Sequence, residues 1–188
     1  HNTYGEPDQE IYCQRLDGAT GAEIGVNDFP ISEMDVDADD RRSGIQPTVV
    51  YNSNDNEYLV AWAGDDESLA NDEYEIFVQR VSATGAEVGY DDFRISGMGP
   101  NGDRDYDAYS PSVTHNTFNN HYAVVWYGNH DLPGLHEDEE EIYMQRLSNL
   151  LLPIGTDDQR ISTTGTDGDS LMKAERPNII YNPDDHEY

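Results

Sequence analysis

The chain has 188 residues and a formal charge of −29, from 39 acidic and 10 basic side chains. That length gives one sizeable domain or two small ones. A surface of that sign repels nucleic acid and anionic membranes, and no apolar run approaches the ~20 residues of a membrane-spanning helix. Neither a nucleic-acid partner nor membrane insertion is therefore expected. Such acidity is also found in disordered chains, but 13 Tyr, 2 Trp and evenly spaced Val and Ile argue for packed strands. The charge suits divalent cations, high salt or plain solubility. The chain starts at His1 with no Met and no leader pattern, so a processed or cut end is expected.

Taken in chain order, short strand-like runs follow one another. EIYCQRL (10–16) and FPIS (29–32) come first. QPTVVYN (46–52) alternates, with Pro47 at a strand's first position, where proline is permitted. EYLVAW (57–62) is short and apolar, as in a strand buried on both faces. The residues between these two runs, rich in Asn and Asp, read as a hairpin turn. EIFVQRV (75–81) alternates, and FRIS (93–96) is short and polar enough for an exposed edge. SATGAEVG, carrying Gly85 and Gly89, reads as the link between them. The series then recurs as SPSVTHN (110–116), HYAVVW (121–126), EIYMQRL (141–147) and QRIS (159–162), and begins again with RPNIIYN (176–182). No stretch has sustained helical periodicity with caps, so no helix is expected.

Three landmarks share a period of about 65 residues, which is a repeat signature. Pro47, Pro111 and Pro177 each follow the Ile of the preceding Ile-Ser by 16 residues. Four antiparallel strands per repeat, with an aromatic closing the second, is the pattern of a β-propeller blade. The expected fold is all-β, a single domain over 1–188. Residues 1–45 supply strands three and four of a split blade. Whole blades span 46–109 and 110–175, and 176–188 begin the split blade again. Three blades are fewer than the ~4–8 that close a ring, so a longer array or several combined chains is expected.

The motif Tyr-Asn-x(3)-Asn-Glu-Tyr-Leu-Val-x-Trp, then Glu-Ile-Tyr-x-Gln-Arg-Leu, then Phe-x-Ile-Ser, resembles tandem repeats of secreted and surface bacterial and archaeal proteins. The resemblance spans the chain and implies β-propeller arrays; it is poor for activity, since such repeats serve adhesins, enzyme appendages and extracellular fibres. Departures are His115 at the motif tyrosine and Gln159 at its phenylalanine.

A residue repeated in every blade is structural or serves a ligand bound once per blade. Gln14, Gln79 and Gln145 recur beside Arg15, Arg80 and Arg146. An anion clamp is one reading; pairing of each arginine with an acidic residue of its own or a neighbouring blade is favoured. Trp62 and Trp126 close apolar strands and read as core. Calcium is the expected cofactor, because an Asp or Asn, a small residue and an Asp recur in register before each strand-opening proline. These are Asp37 and Asp39, Asn101 and Asp103, and Asp167 and Asp169, with Asp35, Asp40, Asp105 and Asp107 as possible extra ligands. Calcium takes about six to eight oxygens; an Asx turn bonding its own backbone is the alternative.

A second acidic register holds Asp8, Glu73 and Glu139, as calcium ligands or a solvated face, and a third holds Asp28, Asp92 and Asp158, where a capped turn is favoured. His130 and His136 beside Glu137 offer a transition-metal alternative. Cys13 is expected to be a buried small side chain, or else to bridge to another chain. Tyr12, Tyr181 and Tyr188 mark the open edge of the split blade, a template for a continuing array or a second copy. The leading expectation is an extracellular or cell-surface structural protein, calcium-stabilised, that self-associates into a fibre. A glycan- or protein-binding module is the alternative and a hydrolase the minor one, because no catalytic motif is present. Adaptation to high salt would explain the acidity under any of them.

Overall fold

A computed structural model describes residues 9–34, 42–65 and 73–188. The described residues contain no helix and form ten strands in three sheets. The strands are β1 (Tyr12–Cys13), β2 (Phe29–Pro30), β3 (Ser43–Asn52), β4 (Glu57–Asp65), β5 (Glu75–Ser82), β6 (Glu87–Arg94), β7 (Ala108–Asn116), β8 (His121–Gly128), β9 (Glu141–Ser148) and β10 (Pro153–Arg160). Two antiparallel four-stranded meanders, β3-β4-β5-β6 and β7-β8-β9-β10, match the two whole repeats, and β1-β2 is a small third sheet. The described sheets do not close into a ring, so the described residues form no complete propeller.

Local chemistry accounts for the hairpins. Asn52 Oδ1 accepts the N–H groups of Asn54 and Asp55, and Asn116 Oδ1 accepts those of Phe118 and Asn119. Asn56 and Asn120 close these turns at φ of 55° and 57°, a left-handed conformation that asparagine tolerates. β4 is buried from Leu59 to Asp65, as the unbroken apolar run predicts.

The fourth strands differ from expectation. β6 starts at Glu87, inside the stretch that reads as a link, and β10 starts at Pro153. The turn between β5 and β6 is correspondingly tight, with the Gly85 N–H bonded to the Ser82 carbonyl. Register shifts between Val78 and Arg80, and between Ile154 and Gln159, explain why alternation is lost. Each lies beside an aspartate at positive φ, Asp92 at 40° and Asp158 at 42°, the geometry of a bulge that hides period two.

The sheets stack face to face. Leu59, Ala61, Ile76 and Val78 on one face of β4–β5 meet Tyr122, Val124, Trp126 and Tyr143 of β8–β9. The opposite face, with Val60, Trp62 and Phe77, is covered by Ile11, Ile31 and Met34 around β1–β2. Residues 177–188 lie instead over the outer face of β7, bonded to Ser112, Thr114 and Asn116, across a groove from Val125, Ile142 and Met144. The two pieces read as one split blade thus sit at opposite ends of the stack, each against a different sheet.

Gly64 and Gly128, one period apart, permit this close approach. A Cβ at Gly64 would lie 2.7 Å from Met34 Sδ and 2.8 Å from Phe77; at Gly128 it would run into the Asp107 carbonyl oxygen. Gly128→Ala should therefore destabilise the protein by about 1–3 kcal/mol, the usual scale of overpacking, read as a lowered urea midpoint at unchanged m-value.

Candidate functional site: the sheet junctions and the acidic cavity

Each sheet-to-sheet junction begins at the glutamate that opens a third strand. Ser96 Oγ–H donates to Glu75 Oε2, the Ile76 N–H donates to Ser96 Oγ at 2.7 Å, and the Met98 N–H donates to Glu75 Oε1 at 2.8 Å. The chain leaving β6 is thereby folded back over β5. This places Met98 Sδ 3.3 Å from Trp126 Nε1 of the next sheet. The same set recurs one repeat earlier. Ser32 donates to Glu10, Met34 N–H donates to Glu10, and Trp62 Nε1 lies 3.5 Å from Met34 Sδ. A third set holds Ser162, Glu141 and the Thr164 N–H, with Thr164 at the methionine position.

A second bond crosses each of the two completed junctions, with the donor now on the earlier side. The Asp92 carboxylate accepts the Glu33 N–H at 2.7 Å, and the Asp158 carboxylate accepts the Gly97 N–H at 2.9 Å. Two of the repeated glutamines brace a left-handed aspartate, at Asp28 and Asp92. Gln14 Oε1 accepts the Asp28 N–H and Gln79 Oε1 the Asp92 N–H. The Nε2 groups of Gln14, Gln79 and Gln145 each donate to the carbonyl of the following arginine. A third bond runs from Asn52 Nδ2 to the Tyr122 hydroxyl at 2.7 Å, matched by Asn116 to Tyr188 at 3.1 Å.

The arginines part company. Arg80 makes a two-pronged contact with Glu57 at 3.0 and 2.7 Å, the own-sheet pairing the sequence suggests. Arg15 donates to the Thr84 carbonyl, and Arg146 lies against Gly155. These contacts do not converge into an anion clamp.

Burial at the junctions sets the proton affinity of these acids. It pushes Glu75 up to about 8 and both Asp92 and Asp158 to about 7, against hydrogen bonds that act the other way. Asp92 Oδ1 and Asp158 Oδ1 are buried without a hydrogen-bond partner, where a proton fits better than a charge. Burial also acts on Glu141, but Ser162, the Thr164 N–H and Arg160 outweigh it and hold that carboxyl below its ordinary range.

The second acidic register fastens the loops that carry the first. Glu73 accepts the Gly102 N–H at 2.7 Å, and Glu139 accepts the Gly168 N–H at 2.6 Å. Arg94 bonds Asn101 at 3.0 Å and Arg160 bonds Asp167 at 2.9 Å, so a cation at either position would meet a like-charged guanidinium. Asp103 and Asp169 accept N–H groups two residues on, from Asp105 and Leu171, in Asx turns. Asp35, Asp37, Asp39, Asp40 and Asp8 lie outside the described residues.

Asp105 and Asp107 line a cavity of about 260 Å³ together with Glu137, Asp138, Glu140 and Arg104. Asn129 shapes its wall: Oδ1 accepts the Asp107 N–H, and Nδ2 donates to the carbonyls of Asp105 and Glu137. Asp107 also accepts the Tyr74 N–H at 2.7 Å, and burial raises its carboxyl to about 6, helped by the charges of Glu73 and Asp65.

Trp62 and Trp126 are both 0% exposed, which removes them as platforms for sugar rings. Tyr12 is exposed, whereas Tyr181 is buried against β7 through its N–H bond to Thr114. Cys13 is half-buried against the Trp62 cluster, and burial raises its thiol. His115 is buried and shares a hydrogen bond with Asn120. His130 packs on Tyr143 beside Asp131, while His136, Glu137 and Asp138 form a separate exposed group with ligand atoms within 4.8 Å of one another.

Sequence reasoning missed the Glu-Ser-Met set, although Met34 and Met98 both stand three residues after the Ile of Ile-Ser. No family model, curated protein or solved structure matches the chain.

Proposed function

We propose that this chain is a structural unit of an extracellular β-propeller-type array, held together sheet to sheet and stabilised by calcium. The supporting observation is the junction itself: Trp, Asp and Asn–Tyr bonds made twice in register by residues one repeat apart. Repeats that contact only their neighbours gain stability from each added interface, so the chemistry favours extension over a single isolated sheet. Calcium supplies the counter-charge for the carboxylates of Asp105, Asp107, Glu137, Asp138 and Glu140 around one cavity, which offers hard oxygen donors. Extracellular modules bind the ion at roughly 10⁻⁴–10⁻³ M, the affinity that a partly open site of this kind suits.

Scanning calorimetry in calcium and in chelator, at equal ionic strength, tests the calcium element. Calcium at 100-fold over its dissociation constant adds about 2.7 kcal/mol, or about 5–10 °C in Tm for a protein of this size. An unchanged transition removes calcium, and equal protection by sodium assigns the acidity to high salt. Light scattering of concentrated protein with and without calcium tests assembly: growth beyond the monomer is expected, and a monomer at all concentrations removes self-association.

A further inference from the structure

The face of β9–β10 that points away from the rest of the stack carries the first half of a junction that residues 177–188, seated over β7, leave open at Ile161. Ile31 and Ile95, the isoleucines of the two completed junctions, are 1% and 5% exposed, whereas their counterpart Ile161 is 48% exposed. Beside it lie Ile142 and Met144, the counterparts of Ile76 and Val78, which are both 0% exposed between the sheets. Glu141 and Ser162 have already folded the chain back, as Glu75 and Ser96 do. The groove has a volume of about 720 Å³ and is walled on its far side by Pro177, Ile179, Ile180 and Tyr188.

We propose that this groove binds a β-strand with the chemistry of β4, the apolar second strand of a further unit of the repeat, through its tryptophan. The occupant follows from continuity with the two completed junctions. In each, a second-strand Trp lies over the Ile-Ser-x-Met turn of the preceding unit, with its Nε1–H on the methionine sulfur. At the open junction Thr164 stands in place of methionine, so the indole N–H meets a hydroxyl oxygen, a stronger acceptor than a thioether. In a whole further unit, an aspartate matching Asp92 and Asp158 would accept the Thr163 N–H. The proposal rests on the array reading, but it concerns a strand bound at one face and requires neither calcium nor self-association. It can therefore stand if either of those elements fails.

The probe is a synthetic peptide of residues 59–65, LVAWAGD, which omits the Glu-Tyr that Glu187 and Tyr188 already supply, titrated into the whole chain and followed by amide shifts in two-dimensional NMR. Saturable binding is expected, with the largest shifts at Ile142, Met144, Ile161, Thr164 and Ile180. The peptide with Ala in place of its Trp should bind roughly thirtyfold more weakly, the effect of losing a buried aromatic anchor. Ile161→Asp, an exposed position whose change leaves the two completed junctions untouched, should abolish binding while the melting curve stays unchanged. Absence of saturable binding overturns the proposal. So does binding that maps to the edges of β3 or β6, or equal affinity of the Ala peptide. Self-association that protects Ile161 and resists the peptide also overturns it, and assigns the face to a second copy.

Discussion

Trp126→Ala should lower the stability of the protein by about 3–5 kcal/mol, the range for removing a large aromatic from a packed core. The indole is fully buried between the two four-stranded sheets, among Ile76, Ile95 and Met98 of one and Tyr143 and Leu147 of the other. Its loss empties a volume that neither sheet can refill, because the backbones are held at their spacing by Gly128 and by the Asn52–Tyr122 bond. At about 2–4 °C per kcal/mol, Tm should fall by roughly 6–20 °C. Trp126→Phe keeps most of the apolar area and loses only the N–H to sulfur contact, so it should cost about 1–2 kcal/mol. A chemical-denaturation series on both variants measures this; equal losses would place the energy in the sulfur contact and not in packing.

The second large effect is a stability that falls as pH rises. Asp92, Asp158, Glu75 and Asp107 hold protons in the folded chain up to about pH 7, 7, 8 and 6 respectively, whereas ordinary carboxyls release theirs near pH 4. Between those limits the folded state binds more protons than the unfolded one, so stability drops with each unit of pH. The contribution is complete below about pH 4 and gone above about pH 8. Asp55 and Glu141 act oppositely, since their folded values are lowered and their share is lost in acid. Optimum stability should therefore lie near pH 4–5. If relief of the buried charges is worth about 2 kcal/mol, Tm at pH 5 should exceed that at pH 8 by roughly 4–8 °C. In ~1 M salt, exposed charges are screened within about 3 Å while buried ones are not. The slope should survive there, and Asp158→Asn should reduce it. A pH-independent Tm in high salt would mean these acids are charged and paired in the folded state.

Much of this architecture is legible in the sequence. Alternation and β-branching place the cores of β3, β5, β7 and β9, and the unbroken apolar run places β4, because those signals follow from which faces are buried. Trp62 and Trp126 were legible as core for the same reason. The fourth strands were not, because the irregularity beside Asp92 or Asp158 puts five residues of the fourth strand against two of the third and breaks the period on which strand reading depends. The glutamines and arginines were legible as structural from their recurrence. Their division of labour was not: Gln79 braces the bulge at Asp92, while only Arg80 among the three arginines makes a two-pronged carboxylate contact. The acidic loops show the limit most clearly. Register marks Asn101, Asp103, Asp167 and Asp169 as equivalent, but it does not tell that Arg94 and Arg160 reach two of them. Nor does it tell that Glu73 and Glu139 serve as fasteners. The glutamate contacts join residues 29 apart and the arginine contacts residues 7 apart, through side chains whose directions depend on the folded loop.

The tryptophan and aspartate bonds that cross between sheets are one-sided. The tryptophan and the accepting left-handed aspartate belong to the later sheet both times, and the methionine turn and the donating N–H belong to the earlier one. The two ends of the stack are therefore chemically different surfaces, and neither is complementary to itself. A contact of this kind cannot relate two molecules by a two-fold axis, because such an axis pairs a patch with its own copy. Copies joined through it are related head to tail. Their rotation either returns to the start, giving a cyclic ring, or advances without closing, giving an open helix. The angle between successive sheets selects between these outcomes.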